Sequence, residues 1–233
     1  MIHPVLLDAR LTLAYDLYDP CDIAADIGTD HAHLPAALLQ RGRCQHMILR
    51  DISESALRNA KNEMIRLRLL NRVSLRSGDG LAPIAEQCGM ISVTGMGGRT
   101  VRHILLDGKE KLQGASLILS AHTDLHLIRD AVSLIGYHLD REEPCLCAGR
   151  FYLVLRARPG RLPFSQREIR LGGPLFESSS EYLIPYLSRR RDILEEKLRG
   201  ILSAGHADQD QILQLRDDIA FYNDFIRKRR SSS

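Results

Sequence analysis

The chain contains no tryptophan, and five phenylalanines with seven tyrosines bring aromatics to only 5% of its 233 residues. A broad platform for stacking single-stranded bases is therefore not expected. Charge of one sign is also scarce. The 32 Lys and Arg against 29 Asp and Glu leave a net charge of +3, too little for a protein that coats polyanions, though enough for a local grip on nucleic acid. No apolar run approaches the roughly 20 residues of a membrane-spanning helix. Met1-Ile2-His3-Pro4 lacks the basic start and apolar stretch of a secretory signal. Five cysteines, odd in number and unevenly spaced, suit free thiols in a reducing compartment. No internal repeat or low-complexity tract is evident. What is present, 44% hydrophobic and 26% charged residues, can bury a core, so a cytoplasmic globular protein is expected.

Apolar spacing predicts a short helix over residues 4–18, then strands and helices in alternation. Strands are expected at 22–27, 46–51, 73–75, 91–94 and 115–120. Helices are expected at 34–40, from Ser53 to about 70, at 101–106 and at 124–134. That rhythm implies right-handed crossovers and a parallel, doubly wound α/β sheet. Two further strand-like runs, 137–145 and 151–156, have no helix between them and read as a terminal antiparallel hairpin. Pro159-Gly160-Arg161-Leu162-Pro163 marks a boundary between a domain at 1–160 and a second at 161–233. In the latter, 182–202 and 211–229 read as two helices of a coiled-coil-like antiparallel hairpin. Ile212, Leu215, Ile219, Tyr222 and Ile226 form one seam, and Leu187, Leu194, Leu198 and Ile201 the other.

In an open parallel sheet, ligands bind beyond the carboxyl ends of the strands. Polar and glycine-rich motifs recur at those ends: Asp26-Ile27-Gly28-Thr29-Asp30, then Asp51, Asp79-Gly80, and Gly95-Met96-Gly97-Gly98. Turn formation alone explains any one of them but not four in succession. A pyrophosphate binder wants G-x-G-x-x-G after the first strand. Here only Gly28 is present, and Asp30 stands in place of a second glycine. A carboxylate repels a diphosphate and attracts a sulfonium or an amino group. The loop therefore suits S-adenosylmethionine better than a dinucleotide. On that reading Asp26 and Asp30 face the amino end of the donor, Gly28 lets the backbone approach, and Asp51 accepts from the ribose. Asp79 accepts from the adenine amino group, with Leu81 against the ring.

The runs Ala25-Asp26-Ile27-Gly28-Thr29-Asp30-His31-Ala32-His33-Leu34-Pro35, Gly78-Asp79-Gly80-Leu81 and Thr94-Gly95-Met96-Gly97-Gly98 resemble the motifs of bacterial tRNA (adenine-N1)-methyltransferases of the TrmK family. The likeness covers residues 5–158 and continues through Gly172-Gly173-Pro174-Leu175 and the helical tail. It implies a Rossmann-like class I methyltransferase fold, S-adenosylmethionine as donor, and N1 of adenine 22 in the tRNA D-arm as acceptor. Residues expected around the donor are Asp26, Gly28, Asp30, Asp51, Ile52, Asp79, Gly80, Leu81 and Gly95. His31, Thr94 and Met96 are expected on the side of the base, with Ser120-Ala121-His122 as the next wall. Where amino-group methylases carry an Asn/Asp-Pro-Pro-aromatic motif, this chain has a slender glycine loop. A ring nitrogen already offers a lone pair and needs no strong base, although it must be freed from base pairing. Two departures stand out. Ser120-Ala121-His122 replaces a Gln-Pro-Asn-like sequence, and Gly89-Met90 stands where relatives tend to have an acid.

Other clusters carry less. His31-x-His33 and His122-x-x-x-His126 lack a third matched ligand for a metal. Cys145-x-Cys147 has the wrong spacing for a redox pair. Arg189-Arg190-Arg191 and Arg227-Lys228-Arg229-Arg230 would meet at one end of an antiparallel hairpin, near the first domain, as a patch for tRNA phosphates. The alternative is ordinary surface pairing with Asp192 and Asp224. Alternative functions are a methyltransferase on another RNA or a small molecule, a dinucleotide oxidoreductase, and a non-catalytic RNA-binding module.

Overall fold

A computed structural model describes residues 4–121, 123–203 and 208–231. Strands β1 (Cys21–Ile27), β2 (Cys44–Asp51), β3 (Val73–Ser77), β4 (Met90–Met96), β5 (Ser116–Ala121), β6 (Tyr137–Cys147) and β7 (Arg150–Pro159) make one sheet, ordered β3-β2-β1-β4-β5-β7-β6. The first five are parallel, and β7 lies antiparallel to both β5 and β6. The parallel sheet and its terminal antiparallel hairpin thus match the topology read from the strand and helix pattern. β5 is buried along its whole length and β4 from Met90 to Val93, the signature of strands covered on both faces.

Helices α1 (Ala9–Asp16), α2 (His33–Gln40), α3 (Glu54–Arg66), α4 (Gly98–Asp107) and α5 (Leu125–Leu134) connect or flank the strands. α3 shows why these segments are helical. Ser53 accepts from Ala56 N–H at 3.3 Å as the N-cap, and Ala56, Ala60 and Met64, four residues apart, form the buried stripe. α1 starts later than apolar spacing suggests because Asp8 caps it, its Oδ1 accepting from Leu11 N–H at 2.7 Å. No helix among the described residues is long and apolar enough to cross a membrane.

Two compact units divide between Ser178 and Ser179, later than the boundary expected at 160. A buried ion pair explains the difference. Arg129 on α5 donates from Nε to Glu142 Oε1 on β6 at 2.6 Å, and Arg129 Nη1 reaches the carbonyls of Ile169 and Arg170 at 3.4 and 3.3 Å. The other Glu142 oxygen accepts from Gly173 N–H at 3.0 Å and Leu175 N–H at 3.2 Å. The segment after the Pro-Gly-Pro punctuation is thereby tied back to the sheet. It includes the short helix α6 (Gln166–Leu171), which apolar spacing misses because six residues are too few to show a period. Its signal is the capping box instead, with Ser165 Oγ accepting from Glu168 N–H and Glu168 reaching back to Ser165 N–H. Gly172 (φ +107°) is needed here, since a Cβ would lie 2.8 Å from Glu142 Oε2 and 3.1 Å from Arg129 Nη2.

The second unit pairs α7 (Leu183–Ser203) with α8 (Gln209–Ser231), as expected for a helical hairpin. Arg191 Nη1 donates to Asn223 Oδ1 at 3.4 Å, so the helices run antiparallel and the two basic runs share one end of the hairpin. Of the expected seams, Leu187, Ile212, Leu215, Tyr222 and Ile226 are buried, while Leu194, Leu198, Ile201 and Ile219 are half-buried. Most of the expected turn, 204–207, lies outside the described residues.

Candidate active site

β1 and β4 stay in register only as far as the Ile27–Val93 pair. Beyond it β1 turns at Gly28 (φ +79°) toward α2, while β4 bulges between Val93 and Met96, with Gly95 at φ +80°, and turns toward α4. The chains part at the place where strand order reverses, so a crevice opens between them. It holds a cavity of about 390 Å³ lined by Asp26, Gly28, Asp30, His31, Asp51, Thr94, Gly95 and Met96. That volume lies within the range of small-molecule sites. Three of the four motifs, far apart in sequence, have become one wall. A Cβ on Gly28 would come 2.1 Å from Met96 Cε, so the first and last motifs meet at the cavity floor.

Asp26 is the most buried of the acids lining this cavity, at 5% exposure, and Ser92 Oγ donates to its Oδ1 at 2.5 Å. Tyr18 Oη, itself buried, stands 3.5 Å behind Ser92 Oγ and extends the chain inward. Burial pushes the Asp26 carboxyl above the ordinary carboxylate range. The Ser92 and Thr29 hydroxyls pull it down, the Asp51 charge pushes it up, and the Arg10 charge lowers it. A carboxylate so placed is stabilised by a cation and further strained by an anion. Asp51 has one oxygen fixed by Ser53 N–H at 2.8 Å. Asp30 sits at the rim, 60% exposed, accepting from Asn59 Nδ2 at 3.3 Å and lying 3.4 Å from His31 Nε2.

The remaining expected residues do not join this cavity. Asp79, Gly80 and Leu81 line a second one of about 290 Å³ beside the end of α4. Leu81 is almost wholly buried and packs where a Cβ on Gly108 would fall, so it forms a floor. Ile52 is exposed and borders neither cavity. Buried Arg50 connects the two sides, since it donates to the Gly78 carbonyl and lies 3.8 Å from Asp79 Oδ1. Ser120 and Ala121 are buried at the end of β5, and His122 lies outside the described residues. Gly89 and Met90 leave no room for an acid. A side chain at Gly89 would strike Cys21 Cβ at 2.7 Å, and Met90 is buried in the core.

Residues 7–155 match a methyltransferase domain family. The tRNA (adenine(22)-N(1))-methyltransferase of Bacillus subtilis is 34% identical over 161 residues, 68% of each chain. The chain belongs to the TrmK family. The crystal structure of the B. subtilis family member TrmK superposes with a TM-score of 0.83 at 25% identity, over 95% of this chain and 99% of that one. A candidate tRNA (m1A22) methyltransferase from Streptococcus pneumoniae, solved in complex with S-adenosyl-L-methionine, gives 0.82 at 25% identity, over 95% of this chain and all of that one.

Reading strand ends does not reach Asp8 and Arg10 at the cavity, or Ser92 behind Asp26. Ser92 did leave a trace in the sequence, as a lone hydroxyl in the apolar run Ile91-Ser92-Val93. Arg10 left none. It precedes the first strand on a helix whose pattern records only its buried face. Among the described residues no three His, Cys, Asp or Glu side chains converge on a metal position.

Proposed function

We propose that this TrmK-family protein transfers the methyl group of S-adenosylmethionine to N1 of adenine 22 in tRNA. The observation that carries the reading is the acid-lined cavity at the β1/β4 switch point, built around buried Asp26 and Gly28. Those residues fit a donor with a sulfonium and an amino group and oppose a diphosphate. When bound, the donor supplies an electrophilic methyl carbon open to in-line displacement. The chain's own residues bind and orient. Asp26 and Asp30 hold the amino end, Gly28 admits the backbone, and Asp51 takes the ribose hydroxyls with its remaining oxygen. Asp79, Gly80, Leu81 and Ile52 belong to the adenine side, and Gly95 passes close to the reacting centre. Thr94, Met96 and His31 form the wall against which the acceptor base is set. N1 presents its own lone pair, so positioning carries most of the rate enhancement.

The decisive experiment is incubation of the protein with isotope-labelled donor and unmodified tRNA transcript, followed by nucleoside mass spectrometry. N1-methyladenosine that disappears when A22 of the transcript is replaced supports the reading. Label on another nucleoside, or tRNA binding without label, overturns it.

The basic end of the hairpin is assigned to the tRNA backbone. Part of its charge is already used, because Arg227 and Lys228 both meet Asp224 at 2.7 Å and Arg191 meets Asp192. Exposed pairs of this kind are worth little and exchange readily for phosphate. Replacing Arg227, Lys228, Arg229 and Arg230 with glutamine is expected to weaken tRNA binding. The slope of log affinity against log salt should fall by roughly 0.7–0.9 for each phosphate that is no longer neutralised. An unchanged slope in filter binding removes these residues, and with them Arg189, Arg190 and Arg191, from the interface.

A further inference from the structure

The net charge of +3 is unevenly placed along the chain. Between residues 54 and 76, six lysines and arginines stand against two acids, an excess larger than that of the whole chain. This stretch runs through α3 and the turn after it, on the flank of the candidate active site. Asn59, on α3, donates from Nδ2 to Asp30 Oδ1 at the cavity rim, at 3.3 Å. Not all six cations are available. Arg72 donates to the carbonyls of Leu39, Cys44 and Gln45. Arg76 grips Glu86, and Arg66 holds both oxygens of Glu63, at 2.8 and 2.6 Å.

Three cations remain. Lys61 and Arg68 are exposed and meet no acceptor among the described residues. Arg58, 67% exposed, lies 3.6 Å from Glu54, which is 83% exposed, a separation beyond hydrogen-bond length. Arg58, Lys61, Asn62 and Ile65 follow helical spacing, so they share the face of α3 turned away from buried Ala56, Ala60 and Met64. Arg68 also occupies a costly backbone position. It follows the helix cap at φ +57°, the left-handed conformation that closes many helices and favours glycine. Leu69 N–H donates to the Met64 carbonyl at 2.8 Å, as that closing motif requires. An arginine here gains no contact that offsets the strain, so the fold alone does not account for it.

We propose that the outer face of α3, through Arg58, Lys61 and Arg68, binds backbone phosphates of the tRNA whose adenine enters the cavity. A folded RNA is far wider than the cavity, so its backbone rests on the rim. A row of weakly paired cations that starts at the rim offers those phosphates a track. Such contacts position the RNA and carry no sequence information. The proposal rests on the tRNA methyltransferase reading above and uses a surface other than the basic end of the hairpin.

The test is filter binding of unmodified tRNA to the full chain and to R58Q/K61Q/R68Q across a salt series. The triple variant is expected to bind about tenfold to a hundredfold more weakly at low salt, with the slope of log affinity against log salt reduced by roughly 2. Its affinity for S-adenosylhomocysteine in calorimetry should change by less than about twofold, since none of the three lines the cavity. R68G separates binding from folding. Glycine relieves the left-handed backbone, so this variant should melt about 2–4 °C above wild type while binding tRNA more weakly. Unchanged tRNA affinity and slope in the triple variant overturn the proposal, even where wild type methylates A22. Weakened S-adenosylhomocysteine binding also overturns it, because the stripe would then act on the donor through Asn59 and Asp30. An R68G that melts below wild type gives Arg68 a structural role and removes it from the surface. Wild type that binds tRNA through the stripe but forms no N1-methyladenosine refutes the reaction assigned above and leaves the surface standing. Wild type that binds no tRNA refutes both.

Discussion

Glu142→Ala is expected to cost about 3–5 kcal/mol of stability, the range for removing one partner of a buried ion pair. Glu142 is 0% exposed and Arg129 3%, so truncation strands a guanidinium in the interior. It also removes the acceptor for Gly173 and Leu175 N–H, which hold the segment after α6 to the sheet. The midpoint of thermal unfolding should drop by roughly 6–20 °C on that cost. Limited proteolysis should open the chain between 161 and 178 before the sheet. The control is the double variant R129M/E142M, which removes both charges and should be less damaged than Glu142→Ala. A single variant melting within a degree or two of wild type would show that the pair does not clamp this segment.

Asp26→Asn should weaken donor binding by about tenfold to a hundredfold at pH 8, the range for a hydrogen bond to a charged group. The pH profile makes the prediction sharper. Burial raises the Asp26 carboxyl above the ordinary carboxylate range, so in the free protein it takes up a proton at a higher pH than an exposed acid does. Protonated, it no longer attracts a cationic donor. Wild-type affinity should therefore fall as pH decreases through that raised value, whereas the asparagine variant stays weak and flat. The same shift has a sign for folding. An acid held more tightly protonated in the folded chain costs stability once ionised, over the window above its unfolded pKa. Without ligand at neutral pH, the asparagine variant should thus melt higher than wild type, with Ser92 still able to donate to the amide oxygen. A variant that binds donor normally, or whose affinity keeps the wild-type pH dependence, would remove Asp26 from the donor site.

Much of this architecture could be read locally. Alternation of apolar runs with polar turns located every strand of the sheet, because each apolar run is bounded by turn residues that break it. The acids at the ends of β1 and β2 were legible because they interrupt such runs where ligands bind. The departures have equally local causes. α6 is shorter than the period that would reveal it, and the boundary at 160 follows proline and glycine, which mark a turn whether or not a domain ends there.

Sequence alone determined the order of the strands along the chain, the positions of Asp26, Gly28, Asp51 and Gly95 at strand ends, and the family these motifs resemble. All of that depends on residues within a few positions of one another. Tertiary structure alone decided which of those ends share a cavity, that Ser92 supports Asp26 across 66 positions, and that Arg10 enters from a helix outside the crossover pattern. It also decided that residues 161–178 belong with the sheet, through a carboxylate more than 30 positions upstream. The physical reason is the same throughout. Periodicity records which face a residue turns to the core, whereas the partner it meets there is chosen by how the elements pack.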